Sequence, residues 1–289
     1  MGVVALSNKT AILDYIEVLK PRESGLHILM GVIAALVAAR GNLPLSPFIL
    51  SVIAISFGIP GANGLTNYLD RDIDTKMRRT CLRALPSRRI YPPEKSLPLV
   101  IMLLVIGLSL TWFINPLCFI SGLVGIMVAA LWRKTSAEVF LGVIAGCAPV
   151  LIGWFAIRPV LDMQILAICA MVAVWTPLHV WSVMVAYRDD FLNAGLHYFP
   201  LAWSITRSVK LLFALSILLY IISMAIYILV DFHWLYLIVA NVLGILMMTA
   251  CGRLLISRGA LSAWKVYKLT AFPYLGVIFI TMLFDSWLL

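Results

Sequence analysis

Charged side chains are scarce: Asp, Glu, Lys and Arg make up only 12% of the 289 residues, whereas 63% are hydrophobic. A soluble chain carries about 25% charged and ~45–50% apolar residues. The deficit excludes a disordered segment, a nucleic-acid-binding module and a charged-surface coiled coil, since each needs a polar exterior. Cysteine is sparse as well. Cys118, Cys147, Cys169 and Cys251 fall inside apolar runs and Cys81 in a charged loop, so free thiols are expected rather than a disulfide scaffold. The N-terminal segment, with Asp14 and Glu17 among Lys9, Lys20 and Arg22, has neither a signal nor a transit layout, and direct insertion of an unprocessed chain is expected. No low-complexity linker breaks the sequence, so residues 1–289 are expected to form a single integral-membrane domain in a lipid bilayer. A channel, a transporter or a membrane enzyme remains.

Uncharged sequence is what the chain has in quantity. Cutting at charged residues leaves 24–39, 41–69, 96–132, 139–157, 163–187, 211–230, 232–252 and 269–284. A span needs ~20 apolar residues. The stretch 96–132 holds two, with Asn115-Pro116 as the turn between them, because a proline there cannot donate to a continuing helix. An all-α polytopic membrane protein of nine transmembrane helices is therefore expected. Alternation then puts the N-terminal segment and the loops near 70–95, 133–138, 188–210 and 253–268 on one side. That side holds every one of the 22 Lys and Arg except Arg40 and Arg158. By the positive-inside rule the N-terminus is cytoplasmic, the C-terminus is outside, and polar chemistry opens to the cytoplasm. The net charge of +9 is read mainly as this topology signal.

The second span runs out into Asn63-Gly-Leu-Thr-Asn67-Tyr-Leu-Asp70-Arg-Asp72-Ile-Asp74. Asn63, Asn67, Asp70 and Asp74 follow i, i+4, i+7, i+11, which puts them on one helical face where the carboxylates repel. A divalent cation relieves that repulsion, and Mg²⁺ takes one or two carboxylates together with phosphate oxygens. A second acidic cluster, Asp189-Asp190, closes the sixth span on the same side. Arg71, Arg78, Arg79, Arg83, Arg88, Arg89, Arg133 and Lys134 are candidates to hold phosphate oxygens between the clusters. The competing reading is that the acids neutralise a basic juxtamembrane loop.

The segment Asp70-Arg-Asp72-Ile-Asp74-Thr-Lys-Met-Arg78-Arg79-Thr80-Cys-Leu-Arg83 resembles the first Asp-rich motif of UbiA-type intramembrane prenyltransferases. More narrowly, the chain is similar to the protoheme IX farnesyltransferases, or haem O synthases. That pattern recurs in Lys20-Pro21-Arg22, Arg133-Lys134-Thr135, Gly142 to Trp154, and Trp175-Thr176-Pro177-Leu-His179-Val-Trp181 running to Asp189-Asp190. The resemblance implies helices around a central cavity and Mg²⁺ held by Asp70, Asp74, Asp189 and Asp190. It also implies farnesyl diphosphate as donor and haem b as acceptor in the prokaryotic plasma membrane, with a haem A synthase or a terminal oxidase as pathway partners. Asp70, Asp74 and Asp190 become the expected catalytic residues. Asn63, Asn67, Lys20, Arg22, Arg78, Arg79, Arg83, Arg133, Lys134, Trp175, His179 and Trp181 become the expected substrate-binding residues. Tyr68, Trp175 and Trp181 are the aromatics on the relevant helices.

An unbroken helix from His179 to Asp190 would separate them by ~16 Å on one face, too far to share a metal. This puts His179 in a deep acceptor pocket as iron ligand or polar contact; a hydrogen bond to a backbone carbonyl is its alternative role. His27 is a weaker haem candidate. Thr66 stands where the motif normally has asparagine, Ala84 replaces a proline, and His197-Tyr198-Phe199 also departs from the pattern. A UbiA-type enzyme acting on a quinone precursor is the near alternative. A transporter is the alternative of another class, although its polar residues would sit at the bilayer midplane rather than at helix ends.

Overall fold

The computed structural model describes residues 8–131, 135, 138–197 and 199–286, and these form an all-α bundle. The helices are α1 (Asn8–Val18), α2 (Pro21–Ala39), α3 (Leu45–Asp74), α4 (Leu97–Ile114), α5 (Pro116–Ala130), α6 (Glu138–Ile157), α7 (Met163–Ala186), α8 (Arg188–Asn193), α9 (Ile205–Val230), α10 (Trp234–Ser257), α11 (Ala260–Leu269) and α12 (Val277–Ser286). Among the described residues eight helical segments are long and apolar enough to cross a membrane. The ninth expected span, Pro116–Ala130, is an apolar helix of 15 residues and falls short of that length.

Local chemistry sets the boundaries. Asn115 ends α4 and caps α5: its side chain accepts from the Cys118 amide at 2.9 Å and donates to the Phe155 carbonyl at 2.8 Å. Pro116 comes next, in the first helical position, where its missing N–H is no loss. One expected loop proves to be largely helical. The chain leaves helix only briefly after Ser257, and α11 starts at Ala260 within the stretch 253–268 read as a loop. Lys and Arg are good helix formers, so a charge ends an apolar run without ending a helix. Between α11 and α12 the stretch Thr270–Gly276 is kinked, with non-helical backbone at Ala271 (ψ −139°) two residues before Pro273. Helix α7 passes through Pro177 but breaks at Tyr187, so the straight-helix separation of His179 from Asp190 does not apply.

In lipid no hydrophobic force drives helices together, and close contact relies on small residues. Helix α2 crosses α6 at such a point: a Cβ on Gly153 would stand 2.0 Å from the Gly31 carbonyl oxygen. Helices α3 and α4 meet where a Cβ on Gly107 would stand 2.7 Å from the Gly58 Cα. Gly153→Ala is therefore expected to cost about 1–3 kcal/mol of stability. Gly25→Ala, where a Cβ meets nothing within 4 Å, is the control. Thermal unfolding of both variants in detergent checks this, and an unaltered Gly153→Ala would contradict the crossing.

Elsewhere in the bundle α7 packs on α9 and α9 on α10. The fully buried Asp285 of α12 accepts from the amides of His233 and Tyr236 at the start of α10. A carboxylate at a helix N-terminus complements its dipole, so this buried charge is satisfied. The remaining helices, α2 to α7 with α11, surround a cavity of ≈ 780 Å³.

Candidate active site

One stripe of α3 builds the polar wall of the cavity. Ile55, Gly58, Ile59, Ala62, Asn63 and Thr66 line it at helical spacing. Asp70, seven residues and two turns beyond Asn63, continues that stripe toward the helix end. Asn67 belongs to the adjacent stripe. Its side chain donates to the Val18 carbonyl at 2.7 Å, and its Oδ1 is buried without a hydrogen-bond partner. The single face expected for Asn63, Asn67, Asp70 and Asp74 is thus divided. Thr66, whose side chain departs from the expected asparagine, faces the cavity, whereas Asn67 faces α1 and the loop at Arg83–Pro86.

The start of α2 completes the polar end. Lys20 and Arg22 line the cavity, and the Lys20 ammonium donates to Thr66 Oγ1 at 3.3 Å. Asn63 donates to Ser24 Oγ at 2.9 Å, and Ser24 donates in turn to the Leu19 carbonyl at 2.7 Å. Two side-chain pairs, Lys20 with Thr66 and Ser24 with Asn63, thereby tie the start of α2 to α3. Lys268, from α11, adds a further cation beside the ring of Trp264.

Beyond Asp74 the chain folds back as a loop held by carboxylates. Asp74 is buried and takes the Arg83 guanidinium at 3.1 Å, while its carbonyl accepts from Thr80 at 3.0 Å. Asp190 accepts from the backbone amides of Arg78 at 2.8 Å and Arg79 at 3.2 Å. The two acidic segments do converge, but the four named aspartates do not form one cluster. Among the described residues no three His, Cys, Asp or Glu side chains gather closely enough to hold an ion. Asp189 is exposed, and Asp190 serves the loop through the Arg78 and Arg79 amides. Desolvation holds the Arg79 guanidinium below its ordinary value, and the like charge of Arg83 adds to that. Tyr267, Asp74 and Tyr187 act the other way. Arg133 and Lys134 lie outside the described residues.

Deeper in, α7 presents Trp175, Thr176, His179 and Val180 to the cavity. His179 is held on three sides. Trp175 stacks on one face at 4.8 Å, Tyr267 lies against the ring at 4.8 Å, and Nδ1 meets Thr270 Oγ1 at 2.9 Å. Trp175 Nε1 donates to the Thr270 carbonyl at 2.5 Å. Trp181 is turned elsewhere: it is buried against Phe140 and Phe199 and does not line the cavity, since two residues along a helix reverse the direction. Tyr68 likewise turns out to Glu94 and Arg71.

Trp264, Tyr267 and Lys268 were missed in the sequence, where they fall in an expected loop. Their spacing, i, i+3, i+4 with Ala271 at i+7, was the available signal, one aromatic and basic helical face. The assembled site is an apolar chamber with a cationic, oxygen-rich end and an aromatic cluster around one histidine. Its volume lies within the ~300–1,000 Å³ usual for small-molecule sites.

Comparison with known proteins bears on this arrangement. Residues 28–281 match the family model described as the UbiA prenyltransferase family. A protoheme IX farnesyltransferase of Desulforudis audaxviator is 32% identical over 282 residues, covering 95% of this chain and 88% of the relative. One from Korarchaeum cryptofilum is 29% identical over 284 residues, covering 96% and 95%. A digeranylgeranylglyceryl phosphate synthase structure superposes with a TM-score of 0.78 at 20% identity, over 96% of this chain and 99% of that one. A UbiA homologue of Archaeoglobus fulgidus, solved with GPP and Mg²⁺, gives 0.67 at 14% identity, over 93% and 99%.

Proposed function

The chain belongs to the UbiA prenyltransferase family, and on that premise we propose that it transfers the farnesyl group of farnesyl diphosphate to a vinyl group of haem b, giving haem O. The observation that carries the acceptor is His179, gripped by Trp175, Tyr267 and Thr270 at the wall of the cavity. An imidazole can ligate the iron of a metalloporphyrin, a metal that a quinone precursor lacks.

The diphosphate end is read at the mouth. Lys20 and Arg22 offer charge-assisted hydrogen bonds to phosphate oxygens, with Asn63 and Thr66 beside them. The donor set at the end of α3 consists of hard oxygens, and magnesium needs only one or two carboxylates when a diphosphate completes its shell. Asp70 and Asp74 are the residues that would hold it, and the bound ion would neutralise charge on the leaving group. Asp190 acts by clasping the loop that carries Arg78, Arg79 and Arg83. This end opens to the cytoplasm, with the N-terminus on that side and the C-terminus outside, in keeping with the distribution of Lys and Arg.

In the transfer the allylic C–O bond breaks and diphosphate leaves with the electron pair. The vinyl carbon of haem b bonds to the allylic carbon, and one water adds to the resulting cation with loss of a proton. The chamber excludes competing water until then. Trp175, Trp264 and Tyr267 line it, and an aromatic ring stabilises a desolvated cation by about 1–2 kcal/mol.

The test is purified protein in detergent with labelled farnesyl diphosphate, Mg²⁺ and a panel of acceptors. A farnesylated porphyrin with haem b is expected. Transfer to an aromatic acid or quinone precursor instead would overturn the acceptor. Thr270 is a positioning residue for His179. Thr270→Val is expected to weaken haem binding about 10–100-fold, the usual cost of losing a partner that orients a ligand histidine. Farnesyl diphosphate binding should not change, and Thr270→Ser should restore haem affinity, which a spectrophotometric haem titration reads directly.

A further inference from the structure

Haem b as acceptor leaves open how its iron is held, and a second histidine bears on that. His27 lines the same cavity from α2, close enough to His179 on α7 for the two rings to interact electrostatically. Their depths match. His27 lies six residues inside the start of α2 at Pro21, and His179 seven residues before the end of α7 at Ala186. At ~1.5 Å per residue these are depths of ~9 and ~10 Å below neighbouring helix ends.

The hydrogen bonds decide which nitrogen each ring offers. His27 Nδ1 meets the Glu23 carbonyl at 2.8 Å, and a carbonyl only accepts, so Nδ1 carries the proton. Thr270 spends its hydroxyl proton on the Tyr267 carbonyl at 2.7 Å. Its oxygen therefore accepts from His179 Nδ1, which also carries the proton. In the neutral form both rings keep a lone pair on Nε2. With the faces of His179 against Trp175 and Tyr267 and its Nδ1 engaged, the edge bearing Nε2 is what it presents. Metal-binding histidines are oriented in this way, with the distal N–H donated to a backbone carbonyl or another fixed acceptor.

We propose that His27 and His179 bind the iron of the tetrapyrrole acceptor from its two faces, each through Nε2, so that the acceptor is held as a six-coordinate bis-imidazole complex. The proposal rests on haem as acceptor and adds His27, which no feature of the Asp-rich motifs involves. Clamping both faces fixes the depth and tilt of the macrocycle, and hence which edge meets the prenyl chain.

The test loads the purified full-length protein with haemin and records its visible absorption and electron paramagnetic resonance spectra. A low-spin bis-imidazole signature is expected for the wild type. His27→Ala should convert it to a high-spin five-coordinate form, and added imidazole should restore the low-spin spectrum. His27→Gln serves as a second variant that keeps a polar side chain, and retained farnesyl diphosphate binding shows that either variant is folded. A high-spin wild type, or a low-spin spectrum unchanged in His27→Ala, overturns the pair while haem remains the acceptor. A wild type that takes up no haem overturns the acceptor reading along with the pair, and gel filtration separates that outcome from the others. The wild-type spectrum alone reports the coordination even where a variant does not fold.

Discussion

Asp70→Asn is expected to lower farnesyl transfer by about 10²–10³-fold, the usual loss when one preorganised electrostatic contact to developing charge is removed. The side chain keeps its shape and loses only its charge. Asp70 lies seven residues beyond Asn63 on α3, so helical spacing carries the cavity-lining stripe of Asn63 and Thr66 on to it. Asp74→Asn should share the catalytic loss and also lower stability. It releases the Arg83 guanidinium now held at 3.1 Å, at a cost on the order of 1 kcal/mol for a pair whose arginine is partly solvated. Turnover with labelled farnesyl diphosphate at saturating Mg²⁺, paired with melting curves, separates the two. Full activity in Asp70→Asn would remove the leaving-group site from the end of α3.

His179→Ala should weaken haem binding by at least ~100-fold, since losing a partner that merely orients a ligand histidine already costs 10–100-fold. Donor binding should be untouched, because Lys20, Arg22, Asn63 and Thr66 belong to α2 and α3. The variant also leaves a void between Trp175 and Tyr267, so His179→Gln should accompany it: it fills most of that space and cannot replace the imidazole. Haem titration followed by absorbance, alongside an independent donor-binding assay, reads both halves. Wild-type haem affinity in both variants would put the acceptor elsewhere.

Much of this architecture was legible in the chain itself. A residue in hydrocarbon must satisfy its backbone within its own helix, so uncharged runs translate directly into helices. Asn115-Pro116 could be read as a turn because proline forbids continuation of α4 and asparagine caps α5. Charges were poorer guides to helix ends, as α3 running to Asp74 and α11 starting at Ala260 both demonstrate. The aspartates were conspicuous as scarce charges at the end of an apolar run, which is a property of composition and needs no fold.

The division of labour among those residues was beyond reach from spacing alone. Seven-residue periodicity equates Asn63 with Asp70 and Asn67 with Asp74, yet only packing against α1 turns Asn67 from the cavity, and only the returning loop brings Arg83 to Asp74. Asp190 became a loop clasp because the returning chain brought two amides to it. Tyr267 and Thr270 reach His179 across 88 and 91 positions, and such encounters depend on which helices lie side by side. Hydropathy and charge, being sums over neighbours in the chain, determined the membrane-spanning helices and where the scarce acidic residues fall among them. Contacts between distant helices decided which polar groups face the chamber, because a helix offers every direction in turn and only its neighbours close some of them off.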